Sequence, residues 1–123
     1  MYPTVMLIIQ DSTTRALVEL ILRRHKFQVI SAANLGNAVG RLSDGDPPDV
    51  FIADSVIMDS SLHISTTLRS HPVGAHIPLI AVTAWNENEV TRGIQSDADA
   101  LVSLANLHRL RETIFHVLEE YTH

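Results

Sequence analysis

The feature that most restricts the fold of this chain is a set of short apolar runs separated by longer stretches of mixed character. The runs are Val5–Ile9, Phe27–Ser31, Val50–Ala53, Leu79–Val82 and Ala100–Ser103. Each run has the length of a buried strand, and the stretches between them are long enough to hold helices. This alternation predicts an α/β protein with a mostly parallel sheet.

Amphipathic patterns predict helices between these strands. The first is Ser12–Arg24, in which Leu17, Leu20 and Ile21 share the face expected to pack on the sheet. The remaining helices are expected at Asn34–Leu42, about Ser60–Ser70, from about Asn86, and at about Leu107–Tyr121. Right-handed crossovers with one reversal of winding then give a flavodoxin-like (βα)5 three-layer sandwich of strand order 2-1-3-4-5. The length of 123 residues predicts one domain over residues 1–123.

Composition excludes several classes of protein. The net charge is −5 without any block rich in lysine or arginine, so direct nucleic-acid binding is not expected. The absence of cysteine excludes disulfides and thiolate chemistry. The start Met1–Thr4 lacks a basic signal-peptide region, and no apolar run approaches the roughly 20 residues that span a bilayer. We therefore expect a cytoplasmic protein without a membrane partner.

Polar residues close three of the predicted strands. Asp11 follows the first run, Asp54 ends the third, and Thr83 ends the fourth. Strand order 2-1-3-4-5 makes strands 1 and 3 neighbours, so Asp11 and Asp54 are expected to meet at the carboxyl edge of the sheet. Two crowded carboxylates repel unless a cation lies between them, which predicts a Mg²⁺ site. A metal-neutralised Asp54 is a candidate nucleophile toward a phosphoryl group, and Thr83 a candidate hydrogen-bond donor to it.

Each of these residues also has a structural interpretation, which for Asp54 is that of a helix-capping or loop acid. Asp11 is an alternative N-cap of the first helix, although Ser12 can fill that role, and the two roles of Asp11 can coexist. Thr83 is also common in strands for packing reasons. Asp49 lies about 16 Å from Asp54 at the strand rise and is expected at the opposite edge of the sheet with a structural role. Asp99 is interpreted as a turn acid, and no histidine spacing favours a zinc site.

The motifs together resemble one known family. They are Leu7–Ser12, Pro48–Asp54, Ile77–Ala84 and Ala98–Ser103. In order and spacing they resemble receiver domains of two-component response regulators, the fold of the bacterial chemotaxis response regulator. The resemblance implies that Asp54 accepts a phosphoryl group from a histidine kinase and that Thr83 contacts it. It also implies a Mg²⁺ ion bound by Asp11, Asp54 and the backbone carbonyl of Val56.

The chain departs from the pattern of that family at several positions. Gln10 replaces a second acidic residue, which removes one negative charge from the expected metal site. Leu104 replaces the usual lysine after the fifth strand, and Leu cannot pair with a phosphoryl oxygen. Met58 and Leu62 stand where proline and glycine are usual, which removes two backbone constraints. Loss of the charged hydrogen bond alone is expected to weaken phosphoryl binding about tenfold to a hundredfold.

Three functional hypotheses follow. The first is a phosphorylated receiver, not an enzyme, which takes its phosphoryl group from a histidine kinase or phosphotransfer protein and presents a switched surface to a downstream protein or output domain. The second is a pseudo-receiver that binds its partner without phosphorylation. The third, a flavin carrier, is disfavoured by the lack of glycine after the first strand. A stand-alone receiver, a part of a longer regulator or hybrid kinase, and a homodimer all remain open.

Overall fold

The protein is built around one five-stranded parallel sheet, which has one edge at the amino ends of its strands and another at their carboxyl ends. The structure, a computed structural model, describes residues 3–32, 35–43, 45, 47–54, 67–83 and 99–121. Within them lie the strands β1 (Thr4–Ile8), β2 (Gln28–Ser31), β3 (Val50–Asp54), β4 (Leu79–Thr83) and β5 (Ala100–Ser103). Each strand begins and ends within one residue of the bounds predicted from its apolar run.

The strands form one parallel sheet of order β2-β1-β3-β4-β5. Leu7 of β1 pairs with Ile52 of β3, and Ile52 pairs in turn with Ile80 of β4. The predicted flavodoxin-like order is therefore confirmed. Because β1 and β3 are neighbours while the chain winds outward from them in opposite directions, their carboxyl ends form the switch point of the sheet, the place where open α/β sheets generally bind ligands.

The described helices are α1 (Ser12–Arg24), α2 (Leu35–Ser43) and α3 (Leu110–Tyr121), with 3₁₀ turns at Gly74–His76 and Leu104–Arg109. The predicted last helix thus begins three residues late, because Asn106 takes a non-helical conformation and keeps Leu107 in the 3₁₀ turn. Residues 67–70 are helical and belong to the predicted third helix, while the predicted fourth lies outside the described residues. Among the described helices, none is both long and apolar enough to cross a membrane.

Successive strand residues bury their side chains on opposite faces of the sheet. Val5 and Leu7 join a core formed with α1 and α3. Met6 and Ile8 join a second core formed with α2. Both faces of β1 are therefore covered, which explains why its sequence is continuously apolar rather than alternating.

The buried face of α1 differs from the prediction. Its buried residues are Thr14, Val18 and Leu22. Leu17 and Leu20 are 43% and 54% exposed, whereas Ile21 is half-buried and packs against the core. The predicted packing face is therefore confirmed for Ile21 and wrong for Leu17 and Leu20, because the buried stripe runs through Thr14, Val18 and Leu22.

Carboxylates at the amino edge of the sheet bind distant parts of the chain. Asp49, before β3, accepts a hydrogen bond from the Thr4 N–H at 2.7 Å, which agrees with its predicted structural role. Asp99, before β5, accepts hydrogen bonds from the Leu79 N–H at 2.8 Å, the Tyr121 hydroxyl at 2.9 Å and the Arg69 guanidinium at 3.2 Å. Asp99 therefore does more than close a turn, because it joins β4, β5, α3 and the helical residues 67–70.

Candidate functional site

The carboxyl edge of the sheet brings the predicted site residues into register. Asp54 is the last residue of β3 and Thr83 the last residue of β4. Asp54 pairs with Val82, so Asp54 and Thr83 lie on adjacent strands one step apart. The backbone therefore places these two residues at a common edge, as the sequence predicts.

Asp11 approaches the same edge from the other side of β3. Ile8 of β1 pairs with Ala53, which sets Asp54 level with the first residue beyond β1. Asp11 follows shortly after as the N-cap of α1. The backbone thus brings Asp54, at the end of β3, and Asp11, just beyond the end of β1, to the same edge of the sheet, while Val56 lies outside the described residues.

The Asp11 side chain is held by its own helix. Its Oδ2 accepts hydrogen bonds from the Thr14 N–H at 2.9 Å and from the Thr14 hydroxyl at 2.6 Å. The N-cap is therefore Asp11 and not the alternative Ser12, which is the first residue of the helix. Sequence reasoning missed Thr14, although a residue three positions after an N-cap is the usual partner of the capping side chain.

Local electrostatics favour the charged form of Asp11. The hydrogen bond from the Thr14 hydroxyl and then that from the Thr14 N–H lower the pKa of Asp11; burial opposes them, and the positive charge of Arg15 adds the smallest lowering effect. Arg15 also donates from Nη1 to the Ile9 carbonyl at 3.1 Å. Asp11 is exposed and ionised at neutral pH, so its carboxylate is accessible to a cation.

The donor chemistry of this edge fits a hard divalent ion. Asp11 and Asp54 both carry carboxylate oxygens, the ligands that Mg²⁺ takes while keeping several of its waters. Gln10 is exposed and adds no charge. In the part of the chain that the structure describes, no group of three or more His, Cys, Asp or Glu side chains is arranged to hold a metal. The Mg²⁺ site at this edge stays a prediction from the chemistry of its two carboxylates.

The end of β5 lies beside Thr83. Ser103 pairs with Thr83 and caps the following 3₁₀ turn, its hydroxyl oxygen accepting a hydrogen bond from the Ala105 N–H at 3.2 Å. The next residue, Leu104, is half-buried and packs against the core shared by α1 and α3. Its side chain therefore lies against the core and carries no charge.

Comparison with solved structures identifies the fold. A Chloroflexus aurantiacus protein described as a response regulator matches at a TM-score of 0.81 and 20% identity, covering 97% of this chain and 99% of that chain. The receiver domain of a sensor histidine kinase from Pseudomonas aeruginosa, with a magnesium ion in its active site cleft, matches at 0.78 and 17% identity, with coverages of 97% and 99%. This chain has the receiver-domain fold.

Further comparisons agree on the receiver fold and give no sequence relative. A response regulator from Thermotoga maritima matches at a TM-score of 0.77 and 20% identity, covering 97% of this chain and 99% of that chain. No protein-family model and no curated protein matches the sequence. This chain thus has the receiver fold although its sequence is no more than 20% identical to these three structures.

Proposed function

We propose that this chain is a phosphorelay receiver, a single signalling domain over residues 1–123 that does not turn over a substrate of its own. Asp54 accepts a phosphoryl group from the histidine of a kinase or phosphotransfer protein. The observation that carries the proposal is the position of Asp54 at the end of β3, with Asp11 at the start of α1 just beyond the neighbouring strand β1, in a receiver fold. Cytoplasmic location is part of the same proposal.

The proposed reaction transfers a phosphoryl group from a histidine nitrogen to a carboxylate oxygen. A carboxylate oxygen of Asp54 bonds to phosphorus while the P–N bond of the phosphohistidine breaks, and the imidazole keeps the electron pair and takes up a proton. Asp11, Asp54 and the Val56 carbonyl would hold Mg²⁺, which supplies positive charge that offsets the charge on the phosphoryl oxygens. The Asp11 carboxylate is suited to this role because it is exposed and its pKa is lowered, chiefly by the Thr14 hydroxyl.

The proposed output depends on Thr83. Its hydroxyl would donate to a phosphoryl oxygen and thereby favour one arrangement of the surface formed by the residues after Asn86, β5 and α3. A downstream protein, an output domain or a second copy of the chain would bind this surface. Thr83 is suited to this role because it pairs with Ser103 at the end of β5, next to the 3₁₀ turn that leads into α3.

A second candidate function is a pseudo-receiver that binds its partner without phosphorylation. One observation favours it: Leu104, at the position where the family usually has lysine, packs in the core and supplies no cation to the site. Gln10 favours it as well, since it replaces a carboxylate with a neutral amide. The two candidates share the fold and differ in whether the carboxyl edge binds a phosphoryl group.

The test is a titration with beryllofluoride, which mimics a phosphoryl group on aspartate, followed through amide NMR signals of the labelled protein. A receiver should bind it saturably with Mg²⁺ present, and Asp54→Asn should abolish the change. Leu104→Lys should tighten binding about tenfold relative to the matched control Leu104→Ala, because it restores a charged hydrogen-bond donor. No response in the wild-type chain, with a gain only in Leu104→Lys, would favour the pseudo-receiver.

A further inference from the structure

The oxygens of the Asp11 carboxylate have different environments within α1. Both hydrogen bonds from Thr14 end on Oδ2. We propose that Thr14 is a positioning residue, which holds Oδ2 at the start of α1 and thereby presents Oδ1 to the cation. This inference rests on the proposed Mg²⁺ site. It states that Thr14 sets the orientation of the Asp11 carboxylate without itself being a ligand of the ion.

Two bonds from one residue fix the orientation of the carboxylate. The Thr14 N–H lies 2.9 Å from Oδ2, and the Thr14 hydroxyl lies 2.6 Å from the same atom. A backbone donor alone leaves the carboxylate free to turn about the axis of that bond. The second donor, arriving from a different direction, restricts this rotation and so sets the position of Oδ1.

The backbone on which Asp11 stands is also fixed. The Arg15 N–H donates to the Asp11 carbonyl at 2.9 Å, and Arg15 Nη1 donates to the Ile9 carbonyl at 3.1 Å. The turn between β1 and α1 is thus held from both sides. With the backbone held in this way, the Asp11 carboxylate can move only by rotation about the side-chain torsions. The two hydrogen bonds from Thr14 restrict that rotation.

The burial of Thr14 explains why a hydroxyl is needed there. Thr14 is 8% exposed and shares the buried stripe of α1 with Val18 and Leu22. In such a stripe an apolar residue of the same shape, such as valine, would pack equally well, and a hydroxyl is costly unless it is hydrogen-bonded. The hydroxyl is therefore explained by its bond to Asp11. Groups that orient a metal-binding carboxylate typically change metal affinity by about 10 to 100-fold.

The experiment compares Mg²⁺ binding to the whole chain and its variants, with the dissociation constant measured from amide NMR shifts. We expect Thr14→Val to weaken Mg²⁺ binding about tenfold, and Thr14→Ser, which keeps the hydroxyl, to bind within about twofold of wild type. Thr113→Val is the matched control, because Thr113 on α3 donates a hydroxyl hydrogen bond of 2.9 Å to the carbonyl of Arg109, at the end of the preceding 3₁₀ turn. It should leave Mg²⁺ binding unchanged.

The outcomes separate this inference from the proposed function. If the wild-type chain binds Mg²⁺ and Asp11→Asn does not, while Thr14→Val binds as tightly as wild type, positioning by Thr14 is wrong and the receiver proposal stands. If the wild-type chain binds no Mg²⁺, both are wrong. Should Thr14→Val fail to fold, Thr14→Ala carries the same expectation, with Thr14→Ser as the folded reference.

Discussion

The two edges of the sheet use aspartate in opposite ways. At the amino edge, Asp99 accepts hydrogen bonds from residues 20, 22 and 30 positions away in the chain. Asp49 accepts one from a residue 45 positions away. At the carboxyl edge, Asp11 accepts its bonds from Thr14, three positions away.

This difference separates carboxylates that hold the fold together from one that is free to bind. A carboxylate bridging distant segments is needed for those segments to pack, and both oxygens of Asp99 already accept hydrogen bonds. The Asp11 carboxylate receives its hydrogen bonds within a single helical turn. Its structural role is therefore limited to capping α1. A residue with this local role can serve a ligand without weakening the contacts between segments.

The largest expected effect comes from Asp99→Ala. The change removes the acceptor of the part-buried Leu79 N–H and of the Tyr121 hydroxyl, and it leaves Arg69 without this carboxylate. We expect the free energy of unfolding to fall by about 3 kcal/mol, since hydrogen bonds to charged groups contribute about 1.5 to 3 kcal/mol each and are not additive. Urea denaturation measures this loss.

Two variants sharpen that result. Tyr121→Phe removes one of the bonds to Asp99 and should cost about 1 kcal/mol, clearly less than Asp99→Ala. Asp11→Asn should leave the free energy of unfolding close to its wild-type value, because asparagine caps a helix as well as aspartate. The comparison of the two edges fails if Asp11→Asn destabilises the chain as strongly as Asp99→Ala does.

The same contrast explains what the sequence could predict. The strands and their order were predicted well, because a strand buried on both faces consists of consecutive apolar residues, such as Val50–Ala53. The alignment of Asp11, Asp54 and Thr83 at one edge then followed from topology. Their roles in Mg²⁺ and phosphoryl binding stay predictions.

Other features could not be predicted because they depend on partners far away in the chain or on one polar residue in an apolar face. Asp99 was interpreted as a turn acid, since nothing near it in sequence indicates bonds to Arg69 and Tyr121. Leu17 and Leu20 were wrongly assigned to the packing face of α1, because hydropathy alone disfavours a buried stripe that contains Thr14. Once the Thr14 hydroxyl is bonded to Asp11, its burial costs little.

A smaller effect is expected at Lys26, because its backbone conformation is strained. This residue lies at the amino edge of the sheet, between α1 and β2. Lys26 follows α1 with φ of +67°, in a turn where the Phe27 N–H donates to the Leu22 carbonyl at 3.1 Å. This is the C-terminal motif that usually carries glycine. Lys26→Gly should raise the free energy of unfolding by about 1 kcal/mol, because glycine adopts positive φ without a steric penalty.

The matched control for this gain is Lys26→Ala. Alanine also removes the charge and the long side chain, and it keeps the Cβ atom that positive φ disfavours. We expect no gain from it in urea denaturation. An equal gain from alanine and glycine would mean that the charge of Lys26 near Arg23 and Arg24, and not its backbone conformation, destabilises the end of α1.

The smallest effects are expected at the extremes of pH, where the two edges should respond separately. The Thr14 hydroxyl lowers the pKa of Asp11 below its ordinary 3.8, so the stability that Asp11 contributes is present above that pH and is lost as the pH falls through the lowered pKa. Burial, then the hydrogen bond to Asp99, raises the pKa of Tyr121 above its ordinary 10.0. Its contribution is present below that pH and is lost as the pH rises through the raised pKa.

Urea midpoints measured across the pH range test this separation. Asp11→Asn cannot titrate and still caps α1, so it should flatten the acid limb of the stability curve and leave the alkaline limb unchanged. Tyr121→Phe should do the reverse. Because Asp11 is held within one turn and Tyr121 is linked through Asp99 to β4 and β5, the double variant should lose both limbs additively. A coupled loss would mean that the two edges of the sheet communicate, and that the carboxyl edge is not independent of the contacts that hold the fold together.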